Sequence, residues 1–85
     1  MPGAIAQLLR DAPLSPGKVQ FAWRAVVGAA LERATDVRLD GGVLYVDAET
    51  PQWTREVWRS SNVILGRLQE CLGASVVTRL EVRTR

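Results

Sequence analysis

Between Thr50 and Gly73, in TPQWTREVWRSSNVILGRLQECLG, apolar residues recur every three or four positions, whereas the segments before and after it alternate with a period of two. A strand, a long helix and a second strand are therefore expected in that order. Thr50 can cap the helix, Pro51 fits a first-turn position that needs no backbone N–H, and Gly73 suits the residue that closes it. At about 100° per residue, Trp53, Val57, Ile64, Leu68, Cys71 and Leu72 fall on one side. Arg55, Arg59, Asn62 and Gly66 fall on the other, so one face is core and the other meets solvent or a ligand.

Upstream, Ser15-Pro16 repeats the cap-and-proline start, and Val19, Ala22, Trp23, Val26, Val27 and Ala30 form a second apolar stripe with Trp23 in the core. Gly28 falls inside this helix, which predicts close backbone packing there. Val37 and Leu39 then alternate with Asp36, Arg38 and Asp40. Gly41-Gly42 supplies a two-residue turn, and Leu44, Val46 and Ala48 alternate with Tyr45, Asp47 and Glu49. After the long helix Val76, Thr78, Leu80 and Val82 alternate with Val77, Arg79, Glu81 and Arg83, giving a third strand. A helical crossover makes that strand parallel to the second, beside either earlier strand, and the first strand is expected in the centre.

These elements define an α+β, two-layer sandwich of order α-β-β-α-β, with a three-stranded sheet covered by helices on one face. The open face carries Arg38, Tyr45, Arg79 and Arg83 among Asp36, Asp47, Glu49 and Glu81. Ile5, Leu8, Leu9 and Ala12 have the spacing of a short extra amphipathic helix over 1–14, ahead of the main domain at 15–85. At about two turns it must pack on the body or on a second copy.

Eighty-five residues, 47% of them hydrophobic, support one core without a disulfide staple, and the single cysteine cannot form an internal one. Cys71 is expected to be a small buried hydrophobe in a reducing cytoplasm. No apolar run approaches the roughly 18 residues of a membrane span, and no secretory leader stands at the start, so a soluble protein that is not exported is expected. The net charge is +2, with arginine supplying every cationic side chain but Lys18. Arginine's planar fork suits phosphates and base edges, a bias toward nucleic acid.

With no histidine, one cysteine and no Gly-rich phosphate loop, neither a nucleophile–base pair nor a metal cluster assembles at recognisable spacing. No catalytic residue, metal or cofactor is expected, and the chain is read as non-enzymatic. The stronger candidate is the exposed side of the long helix. Arg55 and Arg59 lie one turn apart, Asn62 follows, and Trp58 sits at the margin of the apolar stripe. Cations beside an aromatic plane are what hold single-stranded nucleic acid. The other reading is a solvated face with Trp58 covering the rim of the core. Arg38, Arg79 and Arg83 on the sheet form a second candidate, blunted by the neighbouring acids.

Four motifs then fall in order: Trp23-Arg24-Ala25-Val26-Val27-Gly28, Asp40-Gly41-Gly42-Val43-Leu44-Tyr45-Val46, Trp53-Thr54-Arg55-Glu56-Val57 and Leu65-Gly66-Arg67-Leu68-Gln69-Glu70-Cys71-Leu72-Gly73. Over residues 17 to 83 the chain resembles the DciA family. That resemblance implies a KH-like fold, binding of single-stranded or forked DNA, contact with the bacterial replicative helicase and a cytoplasmic, nucleoid-associated role in chromosome replication. The chain has no GXXG, the loop with which KH domains clamp nucleic-acid backbone, so any such contact must come from elsewhere. Two alternatives are a protein-interaction or self-associating KH-like module without strong DNA affinity, meeting helicase or a second copy through Ile5, Leu8 and Leu9 of the N-terminal helix and through Phe21, which lies off the main stripe of its own helix, and an RNA-binding KH-like protein.

Overall fold

The computed structural model describes residues 13–85. The amphipathic helix expected around Ile5, Leu8, Leu9 and Ala12 lies outside the described residues. From Pro13 onward the order is α1 (Pro16–Val27), α2 (Ala29–Arg33), β1 (Thr35–Asp40), β2 (Val43–Ala48), α3 (Pro51–Arg59), α4 (Ser61–Leu72) and β3 (Arg79–Thr84). This is the expected α+β, KH-like two-layer arrangement, with one mixed three-stranded sheet.

Both predicted starts are capped as the residue types dictate. The Ser15 hydroxyl accepts from the Lys18 N–H at 3.1 Å, the Thr50 hydroxyl accepts from the Trp53 N–H at 3.2 Å, and a proline follows each cap. The hairpin turns at Gly41 and Gly42, whose φ values of 57° and 81° few other residues adopt without strain. Its register pairs Val37 with Val46 and Leu39 with Leu44, so the apolar sets of β1 and β2 share one face.

The strand order is β1-β2-β3, with β2 antiparallel to β1 and parallel to β3. The expectation of a central first strand is corrected. β2 is the strand whose inward residues, Leu44, Val46 and Ala48, are all fully buried. Central placement lets neighbours on both sides cover that set, whereas Val37 and Leu39 of β1 are only half-buried, as befits an edge. The third strand also begins later than alternation suggested. A turn after Gly73 buries Val77 completely, and Thr78 ties back to the hairpin through its N–H and hydroxyl, which both donate to the Gly42 carbonyl at 2.7 and 3.0 Å. Only from Arg79 does the alternation run as a strand, with Leu80 and Val82 facing inward opposite Leu44 and Val46.

Two helices expected to be continuous are broken. Gly28 has φ 88° and ψ 168°, and it ends α1 with its N–H on the Arg24 carbonyl at 2.8 Å. A Cβ at this position would meet nothing within 4 Å, so the close packing expected at Gly28 is absent and its backbone angles are the reason for glycine. The Thr50–Gly73 helix divides at Ser60, where φ −101° and ψ 11° take the chain out of helical geometry. Ser60, Ser61 and Asn62 form a run of low helix propensity, and Ser60 does not cap α4 through its side chain, so this is the weakest point of the segment. The break lets α3 pack on β2 and β3 while α4 packs on α1.

The core gathers Trp23, Leu44, Val46, Val57, Leu68 and Val77, all fully buried, with Ile64, Cys71 and Leu72 beside them. Each such aliphatic side chain contributes about 1.5–3 kcal/mol relative to exposure. Cys71 is the buried hydrophobe expected, and burial pushes its thiol above the ordinary cysteine range. Trp53, placed by periodicity with the core, is only half-buried.

Two glycine substitutions separate backbone need from backbone cost. Gly28→Ala forces an alanine into a glycine-only region and is expected to destabilise by about 1–3 kcal/mol. Gly66→Ala, inside α4 with open space at its Cβ, is expected to stabilise by about 0.5–1 kcal/mol. Urea denaturation of both variants reads the difference in sign.

Candidate nucleic-acid interface

The cationic side chains of the described chain divide between its two layers, and the layers treat them differently. On the open sheet face, Arg38 pairs with Asp40 at 3.5 Å and Arg79 with Glu81 at 3.5 Å. Arg83 pairs with Asp47, and Arg85 with Asp36. The Arg38 guanidinium also lies 4.8 Å from the centroid of the Tyr45 ring. The parallel register of β2 and β3 sets Arg83 opposite Asp47, and the antiparallel register of β1 and β2 sets Arg38 opposite Tyr45. Four arginines thus answer four carboxylates, and the face has little net field to offer a phosphate. The Arg83 hydrogen bond holds the Asp47 carboxyl below its ordinary range. Glu49, expected on this face, lies beyond the end of β2, and Asp40 takes its place in the charge pattern.

The helical layer is different. Arg24, Arg33, Arg55 and Arg67 have no ion-pair partner among the described residues, and Arg59 meets only Glu56, at 3.4 Å on an exposed surface. Such an exposed pair is worth little and yields readily to a phosphate. Arg55, Trp58 and Arg59 all project from the outer face of α3, where Trp58 leaves 67% of its surface in solvent. A shallow groove of about 620 Å³ beside them is lined by Gln52, Trp53, Arg55, Glu56 and Arg59. Asn62 is exposed but belongs to α4, across the Ser60 bend, so it does not continue the row of Arg55 and Arg59 as one helix would have placed it. Arg38, Arg79 and Arg83 lie in the other layer and form a separate group.

Periodicity passed over one neighbouring feature. Between α1–α2 and α3–α4 runs a second groove, of about 380 Å³, whose walls include Val26, Leu31, Trp53 and Val63, with Arg67 at its margin. The signal for it was Val63, an apolar residue on the same side of its helix as Asn62 and Gly66, which is 59% exposed. Among the described residues no group of three or more His, Cys, Asp or Glu could hold a metal ion, and no helix is long and apolar enough to cross a membrane.

A two-layer α+β domain with a KH-like order of elements and a cationic helical surface is the class this geometry defines. The family described as "Dna[CI] antecedent, DciA" matches residues 3–82, and the chain belongs to that family. Among curated proteins it is 34% identical to a UPF0232 protein of Mycolicibacterium smegmatis, over 94% of this chain and 44% of that one. It is also 33% identical to UPF0232 proteins of Mycobacterium ulcerans and Mycobacterium marinum, over 81% of this chain and 37% of each. The chain therefore spans less than half the length of these relatives. No solved structure gives a significant match.

The Arg83–Asp47 contact has a pH signature. Because Asp47 is held low in the folded chain, its small contribution to stability is present at neutral pH and fades as the pH falls through that lowered value. In Arg83→Ala the Asp47 carboxyl is expected to titrate nearer its ordinary range, as a carbon-detected NMR titration of the side-chain carboxyls would record.

Proposed function

We propose that this chain is a non-enzymatic DNA-binding module of chromosome replication, an accessory to loading or operating the replicative helicase. We further propose that it holds single-stranded or forked DNA on the outer face of α3. Membership of a family described as the antecedent of Dna[CI] supports the replication role. The exposure of Trp58 beside Arg55 and Arg59 carries the choice of surface. A tryptophan left two-thirds in water gains little from the core, whereas a nucleobase stacked on it contributes about 1–3 kcal/mol. The flanking guanidiniums can take the phosphates on either side, whereas Asn62, exposed on α4 across the break, is outside this core of the surface.

The sheet arginines are secondary in this reading. Arg38, Arg79 and Arg83 each face a carboxylate on the sheet, as Arg59 faces Glu56 on α3; what sets α3 apart is Arg55, which has no ion-pair partner among the described residues, beside the exposed ring of Trp58. No GXXG loop is needed, because cations and an aromatic on one helix supply what that loop supplies through its backbone.

Fluorescence anisotropy with a labelled oligo-dT strand across a salt series tests the surface. Arg55→Glu with Arg59→Glu is expected to weaken binding strongly and to reduce the slope of log K against log salt by roughly 1.4, two phosphate contacts' worth. Trp58→Ala is expected to weaken it by about 1–3 kcal/mol with the slope unchanged. Arg79→Ala, on the sheet, is expected to have a small effect. Unchanged affinity in the double variant, with its fold intact by circular dichroism, would remove α3 from the DNA-binding surface.

A further inference from the structure

The groove between the two helix pairs is suited to a different ligand from the α3 face. Its lining is mainly apolar, with Val26, Val27 and Leu31 on one side and Trp53, Val63 and Ile64 on the other, and Glu56, Ser60 and Arg67 add polar groups. A nucleic-acid backbone has nothing to gain there. On the α3–α4 side the lining runs from Trp53 and Glu56 of α3 across Ser60 to Val63, Ile64 and Arg67 of α4, a length of at least two helical turns. That length takes the i, i+3 or i+4, and i+7 side chains of an amphipathic helix laid along it.

The margin says which charge such a helix carries. Arg67 borders the groove and has no ion-pair partner among the described residues. The acid on the lining, Glu56, is held by Arg59 at 3.4 Å. The groove carrying Arg55 and Arg59 adjoins this one, sharing Trp53 and Glu56 as a common wall, so cations stand around the apolar floor. Glu56 is the sole carboxylate on either lining. We infer that this groove docks an amphipathic helix of a partner protein, with an apolar stripe that enters between α1–α2 and α3–α4 and an acidic side chain that meets Arg67. This goes beyond the DNA-binding surface and does not depend on it, because the residues that bind the stripe are apolar and lie off the outer face of α3. A partner presenting such a helix displaces water from a half-covered apolar surface, and the pairing of its carboxylate with Arg67 sets its orientation and disfavours basic helices.

Chemical-shift mapping on the full chain tests it with two synthetic helical peptides of one apolar stripe, leucine at i, i+3 or i+4, and i+7. One peptide is flanked by glutamates and the other by lysines. The glutamate peptide is expected to shift the amides and methyls of Val27, Leu31 and Val63, and the lysine peptide to bind about tenfold more weakly. Val63→Glu is expected to abolish the response while leaving oligo-dT binding unchanged. Arg67→Glu, an exposed charge reversal that leaves the core untouched, is expected to invert the preference between the peptides. Equal affinity for both peptides, or shifts confined to other surfaces, would overturn the acidic-helix assignment. So would shifts at Val27 and Val63 caused by oligo-dT, which would give the groove to DNA. Contacts from Ile5 or Leu8 methyls to Val63 in the free chain would give it to the chain's own N-terminal segment, and concentration-dependent shifts at Val63 without peptide to a second copy. Loss of oligo-dT binding in the α3 double variant bears on the DNA surface alone.

Discussion

The indole of Trp23 is the joint on which the two layers depend. Its ring is fully buried between the helices and the sheet, and burying so large a side chain leaves its N–H requiring a partner. Thr35 supplies one: the Nε1–H donates to the Thr35 hydroxyl at 2.9 Å, and that hydroxyl donates in turn to the Leu31 carbonyl at 2.7 Å. One chain of hydrogen bonds therefore joins the middle of α1, the last turn of α2 and the first residue of β1. It also accounts for the kink at Gly28. The chain must leave α1, make a short second helix and present Thr35 under the indole, and only a glycine adopts the angles that change the direction so sharply. Among the described residues no buried side-chain polar atom is left without a partner, which is what lets so small a core tolerate an indole and a threonine at its centre.

Charge follows from the same layering. A three-stranded sheet with helices on one face leaves its other face wet, and strand pairing brings side chains on that face within reach of one another in fixed register. Opposite charges placed there at alternate positions find each other. Helices of the opposing layer present their arginines singly, with neighbours one turn away along the same helix rather than directly across from another element. The open face becomes a self-neutralised lattice, and the helical face keeps cations available. That division, more than the modest net charge of +2, leaves cations without carboxylate partners on one side of the molecule.

Much of this was legible beforehand, because the legible parts are local. Caps at Ser15 and Thr50, the Gly41-Gly42 turn and the inward sets Val37–Leu39 and Leu44–Val46 need only their own residues and the periods of strand and helix. What was not legible is set by tertiary context. Whether β3 pairs with β1 or β2 depends on the path of the crossover, and no residue of β3 encodes its neighbour. Gly28 reads as a tolerated helical glycine until its φ is known, and Ser60-Ser61-Asn62 reads as a polar patch on a continuous helix although it marks a break. The candidate site shares this limit. Arg55, Trp58 and Arg59 share an α3 face that spacing predicts, whereas Asn62 was separated from them by the bend. The ion pairs that occupy Arg38, Arg79 and Arg83 could not be anticipated without strand register.

The bend at Ser60 is also what makes two surfaces out of one segment. A straight helix over 51–72 would be about 33 Å long, nearly the 34 Å greatest extent of the molecule. Breaking it lets Val57 of α3 enter the core over β2 and β3 while Ile64 and Leu68 of α4 enter it beside α1. Two helices meeting at an angle cannot fill the wedge between them and a third. The apolar groove walled by Trp53 and Val63 draws on both segments, and Trp58, just before the break, is left exposed. A weak helical triplet at 60–62 therefore has a structural consequence larger than its own energy: the segment contributes Val57 to the core over the sheet and Ile64 and Leu68 beside α1, and both halves line the apolar groove.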